Sequence, residues 1–161
     1  MNSIFWIVII ILVFNYVLER FLEYLNSSYI TTSIPYELQD IYDEEEYEKQ
    51  QNYEQAKSRI DVVSSSFSLL LILGMLFFDG FAFLDTYIYS NFGSESAPIS
   101  HILGGLLFFG ILAFASDILG IPFEIYNTFV IEQKFGFNKT TPKLFILDKL
   151  KSWLLIIILG G

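Results

Sequence analysis

The sequence predicts an all-α membrane protein with three transmembrane helices, the start of a fourth, and a long cytosolic helical extension before the second span. The chain is 53% hydrophobic and 18% aromatic, and its mean hydropathy is +0.51, which are values above those of ordinary soluble domains. Its apolar runs have the length of membrane-crossing helices, and residues 36–73 contain neither Gly nor Pro, which favours one continuous helix. We expect residues 1–161 to form a single membrane domain.

Charge and cysteine content exclude several other classes of protein. The net charge is −9, and the nine Lys and Arg residues form no polybasic cluster, so nucleic acid is not an expected partner. The chain contains no cysteine, which excludes disulfides and thiolate metal ligands.

The first predicted span covers residues 4–24. Because Arg20 follows the apolar run closely, its long side chain is expected to reach back to the interface while the helix continues. A cleaved signal peptide is the alternative interpretation. No basic residue precedes the run, and Glu19, Arg20, Phe21 and Glu23 occupy the region where small cleavage-site residues would be needed, so an uncleaved anchor is favoured.

Residues 34–60 are the most polar part of the chain, with eight acidic and three basic residues. Asp43 followed by Glu46 has the spacing of a capping box, and Glu45 with Lys49 forms a favourable pair one turn apart. We therefore predict a helix that begins near Glu44 and continues into the second span. Its charges are typical of a solvated face, and a docking surface for a partner is the alternative.

The second predicted span covers residues 62–88 and contains Asp79 and Asp85. At a rise of ~1.5 Å per residue, Asp79 lies ~27 Å beyond Asp61, near the far side of a ~30 Å hydrocarbon core. Carboxylates inside a span are candidates for functional groups. An interfacial position of these side chains is the competing interpretation.

The third predicted span covers residues 100–123, and acidic side chains lie near its C-terminal end. Asp117 and Glu124 are seven residues apart, so they share one helix face. Together with Asn127 they would either line a water-filled cavity or lie at the membrane exit, and both interpretations remain open. His101, at the start of this span, is interpreted as an ordinary boundary residue.

An incomplete fourth span is expected at residues 150–161, where eight residues after Trp153 cover only ~12 Å of a ~30 Å core. The distribution of basic residues predicts the orientation of the spans. Residues 1–19 and 91–100 contain no Lys or Arg, whereas residues 26–60 and 126–149 contain most of them. By the positive-inside rule the N-terminus lies outside, and the two base-containing segments are cytosolic.

The stretch from residue 121 to 141 carries the most specific pattern. Pro122 is expected to break the third helix, after which polar groups satisfy the backbone at the membrane exit. The residues that carry the pattern are Tyr126, Asn127, Thr128, Phe129, Val130, Ile131, Glu132, Lys134, Gly136, Phe137, Asn138 and Thr140. This sequence pattern resembles the N-terminal part of the integral-membrane CaaX prenyl proteases, a zinc metalloendopeptidase family.

The resemblance extends to residues 47–67 upstream and 141–153 downstream, with departures at Gln133 and Asp79. It implies a zinc endopeptidase whose HExxH helix and later Glu ligand supply the metal site. This chain has one His and no Cys, so we expect it to bind no zinc, to contain no catalytic residue, and to be inactive alone. It would be a piece truncated before the HExxH segment.

Two functions follow from this interpretation. In the first, the chain supplies scaffold and chamber wall to a protease that cleaves prenylated CaaX C-termini or serves membrane-protein quality control. Its partners would then be the lipid bilayer, the C-terminal half of the protease and a protein or peptide substrate. In the second, the chain is a free-standing, non-catalytic small membrane protein that binds a partner.

Residues 126–140 are expected to be ordered rather than a loose linker. Phe129, Phe135 and Phe137 present too much apolar surface to remain in water, because each ring buries about 150–250 Å² when packed. Gly136 would supply a bend with positive φ. The alternative is an amphipathic segment that dips the same rings into the lipid surface.

Overall fold

The computed structural model describes residues 3–28, 43–92 and 98–160, and these residues are mostly helical. The α-helices are α1 (Ser3–Ser28), α2 (Glu44–Phe77), α3 (Gly80–Phe92), α4 (Pro98–Tyr126) and α5 (Pro142–Gly160), and a π-helix (Asn127–Glu132) continues α4. No strand occurs in the described ranges, so the all-helical prediction is confirmed.

Three helical stretches are long and apolar enough to cross a membrane: Ser3–Asn26, Glu44–Phe77 and His101–Glu132. Three candidate spans were predicted, and three are found in the described part of the chain. Helix α5 is not among them, so the start of a fourth span stays a prediction. Residues 29–42, which lie in the predicted cytosolic extension, are outside the described residues.

The first compact unit comprises residues 1–73 and 125–138. Within it, the Tyr16 hydroxyl lies 2.6 Å from Ser66 Oγ. Ser66 donates its own proton to the Val62 carbonyl at 2.6 Å, so Tyr16 is the donor of the interhelical bond. Ser58 donates to Glu23. The contacting residues advance along α1 from Tyr16 to Glu23 while their partners on α2 go back from Ser66 to Ser58. The two helices are therefore antiparallel.

Helix α2 begins where the capping pattern places it. The Asp43 carboxylate accepts a hydrogen bond from the Glu45 backbone N–H at 3.3 Å, which satisfies one of the unpaired donors of the first turn. The helix then continues without interruption to Phe77. Its first half is polar and its second half apolar, as the composition of the two halves requires.

The second unit comprises residues 74–124 and 139–161. Here α3 packs on the beginning of α4. The Tyr89 side chain of α3 lies so close to Gly104 of α4 that a Cβ atom on Gly104 would be 3.1–3.3 Å from it. Gly104 is buried, and Ile88 beside this contact is only 1% exposed. Small residues of this kind allow close approach of helices in membranes.

The region predicted as one continuous span at 62–88 contains a break. Helix α2 ends at Phe77, Asp79 has φ 54°, and α3 begins at Gly80. A residue in the left-handed region cannot continue a right-handed helix, while the Asp79 carbonyl accepts the first bond of the next helix from Phe83 N–H at 2.8 Å. Sequence periodicity did not reveal this break, because apolar residues continue on both sides.

Two aspartate-to-glycine substitutions are expected to change stability in opposite directions. Asp79→Gly removes the steric cost of positive φ and should raise the free energy of unfolding by about 0.5 kcal/mol, after the entropy cost of Gly. Asp85→Gly lies inside α3 and should lower it by about 0.5 kcal/mol. Thermal unfolding in detergent micelles measures both, and equal signs would contradict the strained conformation of Asp79.

Pro122 does not end the third span. Helix α4 contains Pro122 and continues to Tyr126, and the π-helix then extends the helical path to Glu132. The expected break at Pro122 is therefore wrong. Proline removes only one backbone donor, and helices in membranes tolerate it when neighbouring groups satisfy the freed carbonyl.

Candidate functional site

A cluster of charged side chains joins α4 to α5 within the second unit. Lys149 Nζ lies 2.8 Å from Asp117 Oδ1 and 2.8 Å from Glu124 Oε1. The Trp153 indole N–H donates to Asp117 Oδ2 at 2.7 Å. We call these four residues the Lys149 cluster.

Helical spacing places the four residues together. Asp117 and Glu124 are two turns apart on one face of α4, and Lys149 and Trp153 are one turn apart on α5. The Trp153 ring also packs edge-on against Phe114, with centroids 4.9 Å apart. Helix α5 is started by Thr141, whose Oγ1 accepts a hydrogen bond from Leu144 N–H at 3.3 Å.

The cluster is neither fully buried nor fully exposed. The side chain of Lys149 is 17% exposed, that of Asp117 35% and that of Glu124 46%. Both oxygens of Asp117 are occupied by donors, whereas only Oε1 of Glu124 takes part in the cluster. One lysine for two carboxylates leaves the cluster with a net charge of −1.

These carboxylates do not fit a zinc site. Three of their four oxygens accept hydrogen bonds from an ammonium or an indole N–H. Within residues 3–28, 43–92 and 98–160 no three His, Asp or Glu side chains lie close enough to share a metal ion. The arrangement can compensate charge and hold two helices in register.

Asp79 and Asp85 do not belong to the Lys149 cluster. Asp79 lies in the turn before α3 and Asp85 on α3, and both side chains are exposed. Neither forms an ion pair with a residue that the structure describes. Asn127 belongs to the first unit.

The first half of the sequence pattern forms the π-helix. Asn127 Nδ2 donates to Glu132 Oε1 at 3.3 Å, and a separation of five residues brings side chains together in a π-helix. The Asn127 Oδ1 atom is buried and has no partner among the described residues. Single π-turns of this kind occur frequently at functional sites.

The second half of the pattern forms a turn that packs on α2. The N–H groups of Phe137 and Asn138 both donate to the Glu132 carbonyl, at 2.8 and 3.2 Å. Gly136 makes this turn possible with φ 75°, a value that favours glycine.

Aromatic contacts hold the turn against the polar half of α2. The Tyr53 ring lies 4.9 Å from Phe137 and 5.8 Å from Phe135, both edge-on. Lys49 Nζ lies 5.2 Å from the Phe137 centroid, within cation–π range. The segment is thus part of the packed first unit.

Comparison with known proteins shows the family to which the chain belongs. Residues 23–161 match the family model described as "CAAX prenyl protease N-terminal, five membrane helices". The chain belongs to this family.

Individual relatives agree with the CAAX prenyl protease assignment. The chain is 31% identical to CAAX prenyl protease 1 of Saccharomyces cerevisiae over 134 residues, which is 81% of this chain and 30% of the relative. It is 34% identical to the human CAAX prenyl protease 1 homolog over 128 residues, 76% of this chain and 26% of the relative. The chain thus spans about a third or less of the length of these curated relatives.

A solved structure has the same fold. The crystal structure of S. mikatae Ste24p superimposes with a TM-score of 0.83 at 28% identity, covering 100% of this chain and 38% of that chain. The chain is therefore similar to the N-terminal membrane part of a CAAX prenyl protease in both sequence and structure.

Two members of the Lys149 cluster were not predicted from sequence. Lys149 and Trp153 were interpreted only as part of the approach to the last helix. A signal for Lys149 was present, because an Asp inside an apolar span requires a partner and the chain has only nine Lys and Arg residues from which to choose. No sequence pattern pointed to Trp153.

Replacing Phe137 by alanine is expected to lower the free energy of unfolding by about 1–2 kcal/mol. Phe137 is 42% exposed, so the substitution removes part of a buried ring together with its Tyr53 and Lys49 contacts. Phe78→Ala is the control, because Phe78 is 86% exposed and should change stability by less than about 0.5 kcal/mol. Equal effects of the two substitutions on unfolding in detergent would mean that the contacts of Phe137 with Tyr53 and Lys49 do not stabilise the turn.

Proposed function

We propose that this chain is the N-terminal membrane region of a zinc metalloendopeptidase of the CaaX prenyl protease type. In that role it supplies scaffold and part of the chamber wall for cleavage of prenylated CaaX C-termini, or for membrane-protein quality control. The observation that carries the proposal is the family match over residues 23–161, which agrees with the superposition on Ste24p.

The Lys149 cluster supports a role in the chamber wall. Its carboxylates are 35% and 46% exposed although they lie in the apolar stretch His101–Glu132. Partly exposed charges in a span are tolerated where they face a bundle interior or water, and are costly where they face lipid. We propose that Asp117 and Glu124 face a watery interior, with Asp79, Asp85 and Asn127 as further polar or interfacial positions.

Zinc and the peptide-bond chemistry would come from the remaining C-terminal part of the protease. The metal supplies a polarised water for hydrolysis in enzymes of this type. The residues of this chain would position helices and enclose the substrate, since their own donor set does not fit zinc.

The proposed orientation places the N-terminus outside and residues 26–60 and 126–149 in the cytosol. It rests on the distribution of Lys and Arg. The absence of cysteine allows a direct test with single-Cys variants and a membrane-impermeant maleimide. A cysteine at exposed Glu48 should react only from the cytosolic side, and labelling from the outside would reverse the orientation.

A chimera tests the proposed function. Residues 23–161 would replace the matching segment of the yeast CAAX prenyl protease 1, and cleavage of a prenylated CaaX peptide by purified chimera would be measured. We expect activity within about tenfold of the parent, because the chain is 31% identical to it over 134 residues and superimposes on S. mikatae Ste24p with a TM-score of 0.83. A well-folded chimera that binds zinc but cleaves nothing would favour the free-standing, partner-binding alternative.

A further inference from the structure

A polar cleft lies between the end of α1 and the middle of α2 in the first unit. It has a volume of about 210 Å³, and since a water molecule takes about 30 Å³ in the liquid, it has room for a small polar group. Its charged lining residues are Glu23, Glu54, Lys57 and Asp61. Nothing in the proposed protease function uses this cleft.

The cleft lies where both helices pass from polar to apolar sequence. The candidate span of α1 ends at Asn26, which lines the cleft together with Glu23. The lining residues of α2 end at Asp61, immediately before the apolar run that starts at Val62. The contacts of Tyr16 with Ser66 and of Glu23 with Ser58 place Val62 opposite residues 19–20, where the apolar run of α1 ends, so both helices become polar at one level. Lipid headgroups would lie at that level of a bilayer.

The charges of α2 in the cleft remain apart although they have the spacing to pair. Glu54, Lys57 and Asp61 recur at intervals of three and four residues, so they share one helix face. Neither Glu54 nor Asp61 forms an ion pair with Lys57 in the described structure. Glu54 instead accepts a hydrogen bond from Gln50 at 3.2 Å.

Glu23 has a different role from the other carboxylates. It accepts from Ser58 and forms an ion pair with Arg20, so its charge is compensated within the protein. The cleft therefore offers two uncompensated carboxylates and one uncompensated ammonium. The amides of Asn26 and Gln55 add further hydrogen-bonding groups to the lining.

We propose that this cleft binds the headgroup of a zwitterionic phospholipid that carries a primary amine, as phosphatidylethanolamine does. The ammonium of the lipid lies between Glu54 and Asp61, and its phosphate lies against Lys57. An –NH₃⁺ group can donate three hydrogen bonds to the carboxylates, whereas a trimethylammonium group donates none. An anionic headgroup without an amine is repelled by the two carboxylates.

The test needs no substitution at first. The 161-residue chain is reconstituted in nanodiscs that contain a 1:1 mixture of phosphatidylcholine and one competitor. The competitor series runs from phosphatidylethanolamine through its mono- and dimethyl derivatives, with phosphatidylglycerol as the anionic member. Lipid retained after release from the nanodisc is identified by native mass spectrometry. We expect about a tenfold enrichment of phosphatidylethanolamine, falling at each added methyl group, and none for phosphatidylglycerol.

A pair of double variants then locates the site. Glu54→Gln with Asp61→Asn should remove the enrichment. Glu45→Gln with Glu48→Gln removes the same charge from exposed positions on α2 outside the cleft and should leave it unchanged. Enrichment of phosphatidylglycerol, retention without headgroup preference, or a preference that survives in the Glu54/Asp61 variant would each overturn the proposal.

Discussion

Lys149→Met is expected to lower the free energy of unfolding by about 2–3 kcal/mol. The substitution leaves Asp117 and Glu124 without their shared cation. Removing one partner of a fully buried ion pair costs about 3–5 kcal/mol, and the partial exposure of these carboxylates reduces that figure. Unfolding of the purified chain by SDS titration in mixed micelles would measure the loss.

Lys151→Met is the matched control for Lys149→Met. Lys151 lies two residues further along α5, is 70% exposed, and is 3.7 Å from an Asp148 carboxylate that is 58% exposed. An exposed pair of this kind contributes about 0–1 kcal/mol, so the control should change stability little. In addition, Asp117→Asn should cost less in the Lys149→Met background than in the wild type. Additive effects of the two substitutions would contradict the contact between them.

Gly104→Leu is expected to lower the free energy of unfolding by about 2–3 kcal/mol. Even a Cβ atom at this position would lie 3.1 Å from Tyr89, and a leucine side chain adds further carbon atoms to this close contact. Overpacking of a well-packed contact costs about 1–3 kcal/mol. The expected mechanism is separation of α3 from α4, which would also expose Ile88.

The neighbouring glycine provides a control with the same change of side chain. A Cβ atom on Gly105 meets nothing within 4 Å, so Gly105→Leu should be neutral, or slightly stabilising through better helix propensity. Gly104→Leu combined with Tyr89→Ala should recover part of the loss, because the second substitution creates room. Equal destabilisation by the two leucine variants would show that α3 does not pack on Gly104.

Local sequence predicted the features that depend on single helices. The apolar runs predicted three candidate spans, since their length and composition determine whether a helix can cross a bilayer. The absence of Gly and Pro between residues 36 and 73 predicted the long helix α2, and Asp43 marked its start. The sequence pattern from Tyr126 to Asn138 predicted the family.

The candidate site could be predicted only in part. The seven-residue spacing of Asp117 and Glu124 placed them on one face of α4, because helical geometry depends only on separation along the chain. The cation that joins them comes from another helix, 25 residues beyond Glu124. Pairing at that distance depends on how α5 packs on α4, which periodicity does not encode.

The sequence by itself thus determined membrane character, helix content, the family and the shared face of Asp117 and Glu124. Each of these follows from the length, polarity or spacing of residues within one segment. Only the tertiary structure decided that Asp79 interrupts the second apolar stretch, that α4 continues through Pro122 into a π-helix, and that Lys149 and Trp153 complete the charged cluster. These features depend on whether neighbouring helices satisfy backbone and side-chain groups that an isolated segment leaves unpaired.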